Sequence, residues 1–140
     1  MIVASGIGVE YISNPFGGIV QLDQYHWVLW QYRDVPYQLT LWADVFTIGW
    51  LMVSMYTTKL LDGLDGLVAG IGSIGATIIG LLSLSAAVAQ PETAVVAFIF
   101  AGACCGFLLW NFSPAKIYLG ESGALLVGFT LGVLAILSGS

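Results

Sequence analysis

Asp62-Gly63-Leu64-Asp65-Gly66 and Gly120-Glu121-Ser122-Gly123 are short glycine-flanked segments, each at the edge of a long apolar run. The sequence has 140 residues, 59% of them hydrophobic and only 8% charged. Carboxylates at such places mark a candidate functional site. They suit a hard cation such as magnesium, which takes oxygen donors, and they repel one another unless a cation or a basic partner lies between them. Asp62 and Asp65 are three apart, so on a helix they share a face. Gly63 and Gly66 let a ligand or another backbone come close. Lys59, one turn earlier, offers charge to a phosphate or to Asp62. The competing reading is a pair of aspartate turns capping a helix that begins near Leu67.

The second segment follows Asn111-Phe112-Ser113-Pro114-Ala115-Lys116. Pro114 ends or bends the preceding helix, and Lys116 is a mobile point charge suited to phosphate. Backbone amides at the start of the helix after Gly120-Glu121-Ser122-Gly123 favour an anion. The competing reading makes Ser122 a cap and Lys116 an ordinary basic residue at a membrane boundary.

The elements that must position these residues are membrane helices. Mean hydropathy is +0.95, and long apolar runs with few charges read as spans of about 20 residues. Four are expected: 41–58, 67–89, 93–110 and 124–140. Residues 1–10 are apolar but too short to cross, and read as the end of a further span. No basic stretch precedes them, which argues against a cleaved signal peptide. Lys59 and Lys116 fall on one side of the four spans and Arg33 on the other. The basic residues therefore put both acidic segments in the cytoplasm, where they can converge on one site.

Residues 11–40 read differently. Asn14-Pro15-Phe16-Gly17-Gly18 signals a turn, with strand-like Ile19-Val20-Gln21 after it, and Trp27, Trp30, Tyr32 and Tyr37 suit a membrane–water interface. An extracytoplasmic β-hairpin or irregular flap is expected. The fold class is thus all-α, a polytopic transmembrane bundle of about four spans in one membrane domain, with that flap. His26 has no cysteine or second histidine nearby and reads as a surface residue rather than a metal ligand. Adjacent Cys104-Cys105 in a span suit helix packing, not redox chemistry, and Gly72 with Ala76 gives a small-residue packing face. A net charge of −5 argues against nucleic acid.

Together, Asp-Gly-Leu-Asp-Gly-Leu and Asn-Phe-x-Pro-Ala-Lys-Ile-x-x-Gly-[Asp/Glu]-x-Gly resemble the polyprenyl-phosphate N-acetylhexosamine-1-phosphate transferases of glycosyltransferase family 4. That group includes the phospho-N-acetylmuramoyl-pentapeptide and GlcNAc-1-phosphate transferases. The resemblance runs from Asn14 through Gly132. It implies transfer of N-acetylhexosamine-1-phosphate from a UDP-sugar to a polyprenyl phosphate such as undecaprenyl phosphate, with release of UMP. The pathway would be cell-wall or surface-polysaccharide synthesis at the inner (plasma) membrane, with magnesium as cofactor. By resemblance Asp62, Asp65 and Glu121 are the catalytic and metal-associated residues. Lys59, Gly66, Asn111, Lys116 and Ser122 are then substrate-binding. Partners are UDP-N-acetylhexosamine, polyprenyl phosphate, the lipid bilayer and, in a homodimer, a second copy.

Three positions depart from the family pattern. Tyr56 and Lys59 stand where relatives often have asparagines in Asn-x-x-Asn-x-x-Asp, and Glu121 stands where aspartate is commoner. An Asp-Asp motif and a histidine-rich cytoplasmic loop of the relatives have no counterpart in the 140 residues. The chain therefore reads as an internal fragment, inactive alone. The alternative is a non-catalytic membrane scaffold or transporter subunit that keeps these turns.

Overall fold

The computed structural model describes residues 11–13, 19–21, 26–32, 35–85 and 88–139. It divides into two compact units, residues 1–50 with 139–140, and residues 51–138.

In the first unit, strands β1 (Tyr11–Ser13) and β2 (Ile19–Gln21) pair antiparallel, with Ile12 opposite Val20. The turn at residues 14–18 lies outside the described residues, as do residues 1–10 and Arg33. A longer antiparallel pair joins β3 (His26–Tyr32) to β4 (Val35–Thr40), with an irregularity between Val28 and Trp30. Valine, tryptophan and tyrosine favour such extended pairing. Helix α1 (Leu41–Leu61) follows β4 directly.

The second unit holds the C-terminal half of α1 with α2 (Leu67–Ser83), α3 (Pro91–Asn111) and most of α4 (Gly120–Gly139). Glycines set the packing. A β-carbon at Gly72 would lie 3.2 Å from Cys104 Sγ, and one at Gly80 3.0 Å from the Phe98 ring. As α2 ascends its α3 neighbours descend, so the two helices are antiparallel. Gly72 and Gly75 face Val127 and Leu131 of α4, which makes α2 and α4 parallel. Gly128 and Gly132, four apart, press against Leu51, Ser54 and Met55 of α1, and the Ser54 hydroxyl donates to the Gly128 carbonyl at 2.7 Å. Small residues at this spacing let helices approach closely. Val68, Cys104, Ala124 and Val127 form the core, with Leu61, Phe100, Leu119 and Leu131 packed around it.

Among the described residues, α3 and α4 are long and apolar enough to cross a membrane. Helix α1 has 21 residues, but Asp44, Thr47, Ser54, Thr57, Thr58 and Lys59 dilute its apolar content. Helix α2 stops at Ser83, six residues short of the expected end, and has 17 residues. There the chain turns back to reach Pro91: Ser85 O accepts the Val88 and Ala89 amides, and Gln90 N–H donates to Ser83 O.

Candidate functional site

Helix α1 ends at Leu61, so Asp62 and Asp65 sit in turns, not on a helical face as their spacing suggests. Asp62 N–H donates to Lys59 O and Leu64 N–H to Leu61 O. Gly66 then enters α2 with φ of 76°, a left-handed conformation that favours glycine. No side chain caps α2, so the structure does not make Asp62 or Asp65 its cap. Asp65 Oδ2 instead accepts the Ala115 amide at 3.1 Å, across from the α3–α4 loop.

Asn111, the last residue of α3, is buried and joins the two loops. Its Oδ1 accepts the Gly66 amide at 3.1 Å and its Nδ2 donates to Ile117 O at 2.8 Å. Both ends of the amide are engaged within the protein. The residue thus shapes the site by tying the two loops together. Asn111→Ala is expected to leave the Gly66 amide and Ile117 carbonyl unpaired, costing about 1–3 kcal/mol for each group that water does not reach. Thermal unfolding in detergent measures the loss.

Beyond Asn111 the chain is extended at Phe112, passes a cis Ser113–Pro114 bond, and folds back so that Lys116 N–H donates to Trp110 O at 2.9 Å. Lys116 Nζ lies 5.4 Å from the Trp110 ring centroid, a cation–π arrangement. Helix α4 begins at Gly120, four residues before the expected start near Ala124. Glu121 therefore stands in its first turn, where the helix dipole favours a negative charge. Ser122 is exposed inside that turn and does not precede the helix as a cap would. Glu121 Oε1 pairs with Lys59 Nζ, the side chains 65% and 40% exposed. Lys59 in turn lies 6.0 Å from the Tyr56 ring centroid.

Three links thus draw both acidic segments to one end of the helices: Lys59 to Glu121, Asp65 to Ala115, and Gly66 to Asn111. The carboxylate of Glu121 holds the Lys59 ammonium above the ordinary lysine range. Burial pushes the Asp62 carboxyl upward. Among the described residues no three acidic, histidine or cysteine side chains come together as a metal-binding group. Among these residues Glu121 is held by Lys59 and Asp65 by the Ala115 amide. Beside the loops an apolar cleft of about 170 Å³ is lined by Ala69, Ala103, Cys104, Phe107, Leu119 and Val127.

Glycosyl transferase family 4 matches residues 1–139, nearly the whole chain. The chain belongs to this family. Among curated relatives, the phospho-N-acetylmuramoyl-pentapeptide-transferase of Moorella thermoacetica is 35% identical over 120 residues, covering 79% of the chain and 37% of the relative. A probable undecaprenyl-phosphate N-acetylglucosaminyl 1-phosphate transferase of Bacillus subtilis is 29% identical over 137 residues, covering 98% and 33%. The decaprenyl-phosphate N-acetylglucosaminephosphotransferase of Mycolicibacterium smegmatis is 35% identical over 140 residues, covering 94% and 30%. The chain spans about a third of the length of these relatives. No solved structure matches it.

Proposed function

We propose that the chain supplies one part of the active site of a phosphoglycosyl transferase, which moves N-acetylhexosamine-1-phosphate from a UDP-sugar to a polyprenyl phosphate. The observation that carries this is the joining of two acidic, glycine-flanked segments through the Lys59–Glu121, Asp65–Ala115 and Gly66–Asn111 links, in a family whose similar members are named for such transfers. A phosphate oxygen of the lipid attacks the β-phosphorus of the UDP-sugar. The bond from that phosphorus to the bridging oxygen breaks, UMP leaves with the electron pair, and a lipid-linked sugar pyrophosphate remains. Lys116 offsets charge on the phosphates, the kind of preorganised stabilisation that lowers such barriers, and Lys59 holds the Glu121 carboxylate beside them. Asp62 and Asp65 orient the nucleotide side. Magnesium, when bound, would supply Lewis-acid neutralisation of the pyrophosphate, with Asp62, Asp65 and Glu121 as the carboxylates available to it.

In this reading helices α1–α4 all cross the inner (plasma) membrane. The Lys59 and Lys116 loops face the cytoplasm, and residues 11–40 form the extracytoplasmic flap. The apolar cleft receives part of the isoprenoid tail. It is smaller than an ordinary ligand pocket of roughly 300–1,000 Å³, so it takes only a short stretch. Residues 1–140 alone are expected to give no product. Membranes carrying the whole protein, given UDP-N-acetylhexosamine and undecaprenyl phosphate, are expected to release UMP and form a lipid-linked sugar. Failure to form either with any UDP-N-acetylhexosamine overturns the reading in favour of a non-catalytic scaffold.

A further inference from the structure

Tyr56, Lys59 and Glu121 are the three positions that depart from the family pattern, and the structure joins them into one chain of contacts. Tyr56 and Lys59 are three apart near the end of α1 and so share a face, with Lys59 Nζ 6.0 Å from the Tyr56 ring centroid. Lys59 Nζ then pairs with Glu121 Oε1 on α4, a helix separated from α1 in sequence by two others. Lysine has the reach that asparagine lacks, and glutamate extends its carboxylate by one methylene to meet it.

We propose that Lys59 is a tethered cation that occupies the Glu121 carboxylate in place of a divalent ion, with Tyr56 as the platform beneath its ammonium. The proposal deepens the transferase reading and rests on it for the site's purpose, although its test requires no turnover. Two observations favour it. No three potential ligand side chains converge among the described residues, and the carboxylate at position 121 already has a positive partner. An ammonium there neutralises the carboxylate and repels an arriving divalent cation. Because both side chains are partly exposed, the pair is exchangeable and its effect on cation affinity is moderate. Lys59 is thus a positioning residue that sets how much divalent cation the site demands.

The test titrates Mn²⁺ into the purified whole protein in detergent micelles and follows free Mn²⁺ by electron paramagnetic resonance. Lys59→Met and Lys59→Asn are expected to bind Mn²⁺ about fivefold more tightly than the wild type. Adding Glu121→Gln to either variant is expected to abolish the gain. Wild-type affinity in both single variants, with helical circular dichroism intact, overturns the proposal. So does a gain that survives Glu121→Gln. A second measurement needs no variant: acetylation of Lys59, read by mass spectrometry against Lys116, is expected to rise with Mn²⁺ as the metal competes for Glu121. Acetylation insensitive to Mn²⁺ at concentrations that saturate the protein also overturns it. If whole-protein membranes fail to transfer sugar phosphate while these results hold, the transferase reading falls and the tethered cation stands.

Discussion

Asp62→Asn, Asp65→Asn and Glu121→Gln are each expected to lower transfer by about a hundredfold or more in membranes carrying the whole protein. A carboxylate repels a phosphate by itself, so in the transferase reading these groups act by holding cationic groups against it; losing that stabilisation at a reacting phosphate costs about 3 kcal/mol, and each 1.4 kcal/mol is about tenfold in rate. Amide replacements keep the shape and remove the charge. Asp65→Asn is the most telling, because an asparagine oxygen can still accept the Ala115 amide that Asp65 now accepts at 3.1 Å. A severe loss there reports charge and not loop geometry. Asp65→Ala, which removes both, is expected to lower thermal stability as well. Glu121→Asp keeps a negative group near Lys59 and is expected to retain far more activity than Glu121→Gln. UMP release is the assay. Full rates in all three amide variants would mean that these carboxylates serve only the architecture of the loops.

Gly128→Ala is expected to be the most damaging single-methyl change in the second unit. Its β-carbon would lie 2.6 Å from Ser54 O and 2.8 Å from Met55 Cα, and backbone cannot rotate away as a side chain can. Helices α1 and α4 must separate, with loss of the Ser54–Gly128 hydrogen bond. Overpacking of this kind costs about 1–3 kcal/mol, and Gly128→Val should cost more. Because α1 carries Lys59 and α4 carries Glu121, the same separation weakens their ion pair. Gly106→Ala is the control: a β-carbon there meets nothing within 4 Å. Replacing glycine by alanine in a helix is favourable by about 0.5–1 kcal/mol. Unfolding in detergent followed by circular dichroism should move in opposite directions for the two variants; equal shifts would refute this account of α1–α4 packing.

The two acidic segments were legible in sequence because charge is scarce here, and so was their convergence, because alternate loops of a helical hairpin series return to the same end. Helix ends were less so. An apolar run does not say where hydrogen bonding stops, hence α2 was drawn past Ser83 and α4 started too late to include Glu121. Gly128 and Gly132 stand four apart on α4, the same small-residue spacing as Gly72 and Ala76 on α2. The burial of Asn111 and the bond from Asp65 to Ala115 had no local signal. Each depends on a partner distant in the chain, which spacing within one segment cannot reveal. Extended pairing on either side of residues 14–18 followed from residue type, whereas the longer pair of β3 and β4 did not stand out from the aromatic residues around it.

The bond between Asp65 and the Ala115 amide joins residues 50 positions apart, and this separation matters while the protein is being made. At about 5–20 residues per second, a ribosome delivers Ala115 roughly 3–10 seconds after Asp65. During that interval the nascent turn has neither Ala115 nor Asn111 to satisfy it, and Glu121 has yet to reach Lys59. Water has to fill these roles. If α1 and α2 cross a membrane as proposed, a hydrated, charged turn between them would resist being drawn into lipid until its partners emerge.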